Sequence, residues 1–224
     1  MPPLRSRPGA FVLDGPGAEG EHHRFMQLRV TQFGEPVLHE RGQRITRFDN
    51  GLHQLIADMV ETMYAEEGIG LAAQQVGRPL LLFVIDLQVE GRELEMTWTL
   101  DGKTPPLELI MPLAVVNPEV ELLPSEPLVY EEGCLSFPNI RGDIERPTRL
   151  RMKYQDPDGN PHVLETDGLL ARVIQHEYDH TQGILFIDRM TPGVLQSVTP
   201  KLKKLKRHTR DFLKKQEKAM RNLR

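Results

Sequence analysis

Two histidines four residues apart stand in the stretch Gln175-His176-Glu177-Tyr178-Asp179-His180, with a glutamate directly after the first. On an α-helix a four-residue step turns about 40° around the axis, so both imidazoles project from one face. Glu177 lies about 100° from His176, near enough to flank whatever the imidazoles hold. This is the His-Glu-x-x-His arrangement: two neutral nitrogen ligands for a metal ion, plus a carboxylate free to move protons at a bound water. Two histidines do not complete a tetrahedral site, so a third protein ligand has to come from elsewhere. The chain has one cysteine, Cys134, in a short loop-like segment after an expected strand. As third ligand it supplies a thiolate and leaves the fourth position for water. Thiolate with imidazole suits Zn2+, Fe2+ or Co2+ and is wrong for Ca2+ or Mg2+. Two other readings stand beside this one. A zinc peptidase of the same motif would recruit a carboxylate or third histidine, leaving Cys134 as a small core hydrophobe. A structural metal site would need four closed protein ligands.

The elements that must position these residues are signalled unevenly. The motif helix is expected to start at a cap on Thr166 or Asp167, to bury Leu169, Leu170, Val173 and Ile174, and to end at Gly183. An earlier amphipathic helix follows an N-cap at Asp49, with Leu52, Leu55, Ile56, Met59, Val60 and Met63 at three- and four-residue steps and Gly68 as its stop. The segment from Gly68 to Gly77 has glycines one residue apart, which lets a ligand or strand approach the backbone closely. It lacks the preceding strand and the Lys-Ser/Thr pair of a phosphate-binding loop. Strands are expected at 80–86, 113–122 and 127–131, and at 148–155 and 161–166 around a turn at 156–160. Alternation at Leu94, Met96, Trp98 and Leu100, a turn at Asp101-Gly102, and alternation at Leu107, Leu109 and Met111 predict a projecting hairpin across 88–112.

Composition bounds the rest. A chain of 224 residues with 39% hydrophobic and 27% charged residues describes an ordinary globular protein with room for one sizeable core. No apolar run reaches the ~18 residues that cross a bilayer, and the first residues lack the apolar core of a secretion signal. A cytoplasmic location is expected, with an organellar origin left open. Residues 201–224 hold eleven Lys/Arg against two Asp/Glu, a formal +9, so residues 1–200 carry −13 of the net −4. This basic segment is expected to form a helix from about Pro200, with Leu202, Leu205, Phe212 and Leu213 on a narrow stripe. Residues 1–25, rich in Gly, Pro and Arg, read as a mobile arm, with Met26 as an alternative start.

Three motifs taken together resemble the peptide deformylase family. They are Gly68-Ile69-Gly70-Leu71-Ala72-Ala73-Gln74-Gln75, Glu132-Gly133-Cys134-Leu135-Ser136 and the histidine stretch, in that order. Residues 34–38, 116–119 and 141–147 match too, and the likeness runs from about Leu28 to Met190. The departures are the N-terminal arm, the insertion at 88–112 and the long basic tail. The resemblance implies an α+β fold in which antiparallel sheets pack around the metal-binding helix, with the amphipathic helix nearer the N-terminus and a basic helix at the C-terminus. The expected organisation is an arm at 1–27, a catalytic domain at 28–190 and a helical extension at 191–224.

The implied activity is removal of the N-formyl group from the initiator methionine of new polypeptides, releasing formate. The implied ligands are Cys134, His176 and His180, holding one divalent ion. Resemblance favours Fe2+, replaceable by Zn2+, Ni2+ or Co2+. Such an ion lowers the pKa of water from ~15.7 towards ~7. Glu177 would then take the proton and deliver it to the departing amine. The Gln75 amide and the Leu135 backbone N–H are the implied oxyanion donors, each worth roughly 3–4 kcal/mol in rate. Gly70 would pair with an extended peptide through its backbone. Leu169 and Val173 would line the methionine pocket, Arg141 would contact substrate, and Glu132 would pair with Arg146. The expected partners are formylmethionyl nascent peptides and, through the basic helix, the ribosome; neither DNA nor a membrane is expected.

Overall fold

A computed structural model describes residues 26–87 and 95–222. The arm expected at 1–27 lies outside it except for its last two residues. Among the described residues, three α-helices and eight strands follow in the order β1 (Gly70–Ala72), β2 (Leu82–Ile85), β3 (Trp98–Leu100), β4 (Leu113–Leu122), β5 (Pro127–Gly133), β6 (Arg141–Pro147), β7 (Arg149–Gln155) and β8 (Pro161–Asp167), with α1 (Asn50–Ala65) before β1 and α2 (Gly168–Thr181) and α3 (Pro192–Asn222) after β8. Six strands form one antiparallel sheet in the order β1-β2-β4-β7-β8-β3, and β5-β6 form a separate ribbon. This is the α+β arrangement, with α2 at its centre.

Strand β2 shows why its sequence is apolar without interruption. Phe83 and Ile85 join a core with Leu170, Val173 and Ile174 of α2, while Leu82 and Val84 face Leu52, Ile56, Met59 and Met63 of α1. Successive side chains point to opposite faces of a strand, so helices on both faces require a hydrophobic residue at every position. A third core joins the β6 residue Ile144 to Phe137, Leu185 and Phe186, and is closed by Val198 and Leu202 of α3. Between these layers α2 is buried on nearly every side: His176, Glu177 and His180 are all below a tenth exposed.

The helix signals hold with shifted ends. The Asp49 carboxylate accepts the Leu52 N–H at 3.2 Å, capping α1 as expected. Its other end is not set by Gly68; Glu67 takes the left-handed conformation, φ +56°, one residue earlier. Asp167 stands at the N-cap of α2, but its carboxylate accepts from the Thr97 N–H and hydroxyl instead of from the helix. Gly183, at φ +74°, follows the last turn of α2. Helix α3 begins at Pro192, eight residues before the expected start, and Pro200 lies inside it. Proline is well tolerated in a first turn, which makes Pro200 read as a beginning. Burial of Val198 and Leu202 on either side of it carries the helix through.

The hairpin expected across 88–112 does not form among the described residues; residues 88–94 lie outside them. The Asp101-Gly102 turn is present, but β3 pairs with β8, matching Trp98 to Thr166, and Leu107–Leu109 form a 3-10 turn. Pro105 and Pro106 precede that turn and have no N–H with which to extend a ladder. Strand β6 has no counterpart among the expected strands because its inward positions are Ile144 and Arg146, and a buried arginine hides the alternation.

Strand β4 contains an irregularity between Val116 and Glu119 where Asn117 adopts φ +52°. Its side chain accepts from the Ile45 N–H (2.9 Å) and donates to the Ile45 carbonyl (2.8 Å) and to Gln155 Oε1 (2.8 Å). Buried Asn117 thus satisfies both backbone groups of Ile45. Asn117→Ala should destabilise the fold by about 2–3 kcal/mol, since each unsatisfied buried group costs about 1–3 kcal/mol; equilibrium denaturant unfolding measures it.

Candidate metal centre and catalytic site

Three segments far apart in sequence converge. Strand β1 runs into a 3-10 turn, Ala73–Val76, that holds Gln75. Strand β5 ends at Gly133 and passes directly to Cys134 and Leu135. Helix α2 carries His176, Glu177 and His180. Residues 31–33 stitch the first two together: the Thr31 N–H donates to the Gln75 carbonyl at 2.7 Å and the Phe33 N–H to the Ser136 carbonyl at 3.0 Å. The Gln32 amide adds a bond to the Leu135 carbonyl at 3.3 Å.

Cys134 Sγ and the imidazole nitrogens of His176 and His180 all lie within 4.8 Å of one another, with Sγ to His180 Nε2 at 3.3 Å. A thiolate at ~2.3 Å and an imidazole at ~2.1 Å from a tetrahedral ion stand roughly 3.6 Å apart, so the three donors fit a single transition-metal ion. His176 Nδ1 is hydrogen-bonded to Glu132 Oε2 at 2.9 Å, which leaves Nε2 to face the cysteine. Burial on its own would lower the His176 pKa, but hydrogen bonds with Cys134 and Glu132 outweigh it and raise it to about 10. Burial, reinforced by neighbouring His176, lowers that of His180 well below its usual value, holding the ring neutral.

The partner of His176 is itself held firmly. Glu132 is buried and accepts from Arg146 Nε at 2.7 Å and Arg146 Nη2 at 3.0 Å. Burial would raise its pKa, but the bonds from His176 and Arg146 dominate and hold it well below the usual carboxylate range. Arg146 reaches on to Asp179 at 2.8 Å, and Asp179 also accepts from Arg189 at 2.6 Å. The Glu132–Arg146 pair is the expected one. Asp179, Arg189 and Arg172, which donates to Glu132 Oε1 at 2.7 Å, are additions. Arg172 lies four residues before His176 and Asp179 three after it on α2, but nothing in the sequence marks a charged side chain there as buried.

Glu177 is buried, and its Oε2 has no hydrogen-bond partner among the described residues. Burial pushes its pKa up to about 7, so this carboxyl can both accept and give a proton near neutrality. Gly70 lies directly against it; a Cβ there would stand 2.4 Å from Glu177 Oε1. The absence of a side chain at Gly70 is therefore a steric requirement of the glutamate as well as an opening for backbone pairing. The Gln75 side-chain oxygen Oε1 accepts the Ala72 N–H at 2.8 Å, which turns its NH2 group towards Cys134 Sγ and Ser136 Oγ, each at 3.4 Å. Leu135, adjoining Cys134, is half-buried.

The remaining candidates divide. Leu169 and Val173 sit in the core shared by α2 and the large sheet, Leu169 partly exposed. Arg141 is exposed, opposite Gly133 in the β5–β6 ribbon, 3.7 Å from Glu131. Two cavities lie away from the three donors. One of about 390 Å³ lies beside the insertion at Met96, Trp98 and Arg149, and another of about 200 Å³ lies behind α2 at Arg146, Gln175 and Asp179.

Comparison with known proteins points to one family. Residues 27–195 match the family model described as polypeptide deformylase. The peptide deformylase of Opitutus terrae is 50% identical over 186 residues, covering 83% of this chain and 96% of that protein. Among solved structures, peptide deformylase from Plasmodium falciparum aligns with a TM-score of 0.69 at 33% identity, over 81% of this chain and 97% of its own. That from Thermotoga maritima aligns at 0.62 and 42% identity, over 75% and 99%.

Because ligation requires a thiolate and two neutral imidazoles, metal uptake should release protons and weaken as pH falls. Competition titration with Zn2+ at several pH values measures this; affinity independent of pH between 6 and 8 would contradict it.

Proposed function

The chain belongs to the peptide deformylase family, metal-dependent hydrolases that remove the N-formyl group from nascent peptides, and from that premise we propose how its residues divide the work. Cys134, His176 and His180 hold one divalent ion, which when bound supplies Lewis acidity and acidifies water near neutral pH. Glu177 is the general base and then the general acid. The observation that carries this role is its buried carboxyl, unpartnered at Oε2 and set against Gly70 beside the three donors. It takes the proton of the attacking water and returns it to the amine nitrogen as the C–N bond breaks, without which an amine is a very poor leaving group.

Charge develops meanwhile on the former formyl oxygen. The Gln75 NH2, pre-aimed by its bond to Ala72, and the Leu135 N–H are the donors for it, and residues 31–33 hold both peptide segments in place before reaction. The peptide lies extended along β1 at Gly70, the outermost strand of the large sheet among the described residues, pairing through main-chain groups. Leu169 and Val173 contact the methionine side chain, and Arg141 at the rim contacts the peptide beyond it. Residues 28–190 form the catalytic domain and 191–224 an extension of it.

The physiological ion is proposed to be Fe2+, exchangeable for Zn2+, Ni2+ or Co2+, since Cys-His₂ donors accept all of these. Metal analysis of anaerobically prepared protein alongside turnover decides this. The protein is proposed to act in the cytoplasm. No helix among the described residues is long and apolar enough to cross a membrane.

The basic helix is proposed to dock on ribosomal RNA. The α3 segment up to Thr209 is anchored by buried Val198, Leu202 and Thr209, and beyond it Lys214, Lys215, Lys218 and Arg221 are exposed. Replacing those four with Glu should abolish co-sedimentation with ribosomes and leave formate release from a soluble formyl-Met peptide intact, since none of the four touches the core. Unchanged co-sedimentation would dispose of the docking.

Glu177→Ala should retain its metal and lose about 10²–10⁴-fold in kcat. Formate release from formyl-Met-Ala-Ser, measured with metal content, is the test; near-normal turnover with metal bound would remove Glu177 from the mechanism.

A further inference from the structure

Arg172 lies four residues before His176 on α2 and is buried, although it takes no part in the chemistry above. Its guanidinium grips the neighbouring ribbon at several points. One nitrogen donates to Glu132 Oε1 at 2.7 Å and to the Ile144 carbonyl of β6 at 3.1 Å. Another donates to the Leu128 carbonyl near the start of β5. The Tyr130 ring lies over the guanidinium carbon at 5.7 Å. Tyr130 and Glu132 alternate along β5 and so share one face of the strand, and the bond to the Leu128 carbonyl extends the Arg172 grip towards the start of β5.

The consequence follows from where β5 leads. One residue past its end is Cys134, while the residue one turn after Arg172 is His176. A single planar fork therefore joins the strand that delivers the thiol to the helix that delivers both imidazoles. It also shares Glu132, the residue that orients the His176 ring, with Arg146. The Arg146 guanidinium bonds the same carboxylate but continues to Asp179 on α2; it tethers Glu132 and α2 from within β6, where Arg146 stands opposite Leu128, whereas Arg172 reaches the Leu128 carbonyl from α2 itself.

We propose that Arg172 is a positioning residue for the metal site: it indexes β5 against α2, and so sets where Cys134 stands relative to His176 and His180. The proposal rests on the Cys134, His176, His180 ligand set. Groups bonded to the ligating residues, as Glu132 is to His176, typically change metal affinity by about 10–100-fold when removed, and Arg172 acts one step further back, by holding both Glu132 and β5. Lysine at this position keeps the charge but offers one compact ammonium in place of the fork, so it cannot reach Glu132, Ile144 and Leu128 together.

The test is metal retention. Wild-type protein, Arg172→Leu and Arg172→Lys are loaded with Co2+ and mixed with excess chelator. Loss of the cobalt–thiolate absorption gives the rate of release, and thermal unfolding of the metal-free proteins is recorded in parallel. Arg172→Leu should release the ion about 10–100-fold faster than wild type, with a cobalt spectrum altered before release, and Arg172→Lys should fall between. Wild-type release and spectrum in Arg172→Leu, with only a lowered Tm, would overturn the proposal and leave Arg172 a purely structural residue. If the leucine variant does not fold, the lysine variant decides, and wild-type release from it overturns the proposal equally. A Cys134→Ala control separates the two readings: undiminished cobalt binding there refutes the ligand set, whatever Arg172 does.

Discussion

The buried carboxylate of Glu132 is the interaction on which the rest of the structure depends. It accepts from two guanidiniums and one imidazole, so each oxygen is satisfied twice over. A charge this deep is tolerable only when fully paired, and removing one partner of such a pair typically costs about 3–5 kcal/mol. Arg146 extends the network to Asp179 and Arg189, and Arg172 extends it to the main chain of β5 and β6. The ribbon is thereby joined to α2 by directional bonds as well as by the apolar cluster around Ile144 and Phe186. Directional bonds matter here because a metal site demands placement to a fraction of an ångström, which a non-directional apolar contact does not provide.

The same carboxylate sets the chemical asymmetry of the two histidines. His176 is bonded at Nδ1 and so presents a defined nitrogen towards Cys134. His180 has no partner at Nδ1 among the described residues and is kept neutral by burial and by its neighbour. Glu177, next to His176, has the opposite treatment from Glu132: burial outweighs the opposing charges of His176 and Arg146, and its pKa rises towards neutrality. Two glutamates in one site are thus shifted in opposite directions, one held ionised against His176 and one brought to where it can exchange a proton near neutrality.

Around this centre the three cores act as spacers. Strand β2 separates α1 from α2, and its pairing with β1 brings Gly70 against Glu177 with no room for a Cβ. Segment 31–33 ties the Gln75 turn to the loop after Cys134, and α3 closes over that segment, with Gly34 against Lys206 and Thr209 and the Arg29 guanidinium over Phe212. The basic helix is therefore part of the packed body as far as Phe212 and a charged projection only beyond it.

Much of this was legible in the sequence because it is local. The four-residue spacing of His176 and His180, the Asp49 cap, the apolar steps of α1, the uninterrupted apolar run of β2 and the single cysteine each carry their meaning within a few residues. The hairpin across the insertion was misread for a related reason: alternation near Trp98 and Leu107 shows that strands could form there, but not which strand would pair with them. Arg172, Asp179 and the inward turn of β6 were not legible at all, since a charged residue reads as solvent-facing until its partners are known. Those partners lie up to 44 residues away in the chain, as Leu128 does from Arg172. From sequence alone come the candidate ligands Cys134, His176 and His180, the candidate proton carrier Glu177 and most of the elements that bear them. Which charges are buried together, and that the three candidate donors converge within 4.8 Å, is settled by the folded chain, because pairing and desolvation are properties of neighbours in space.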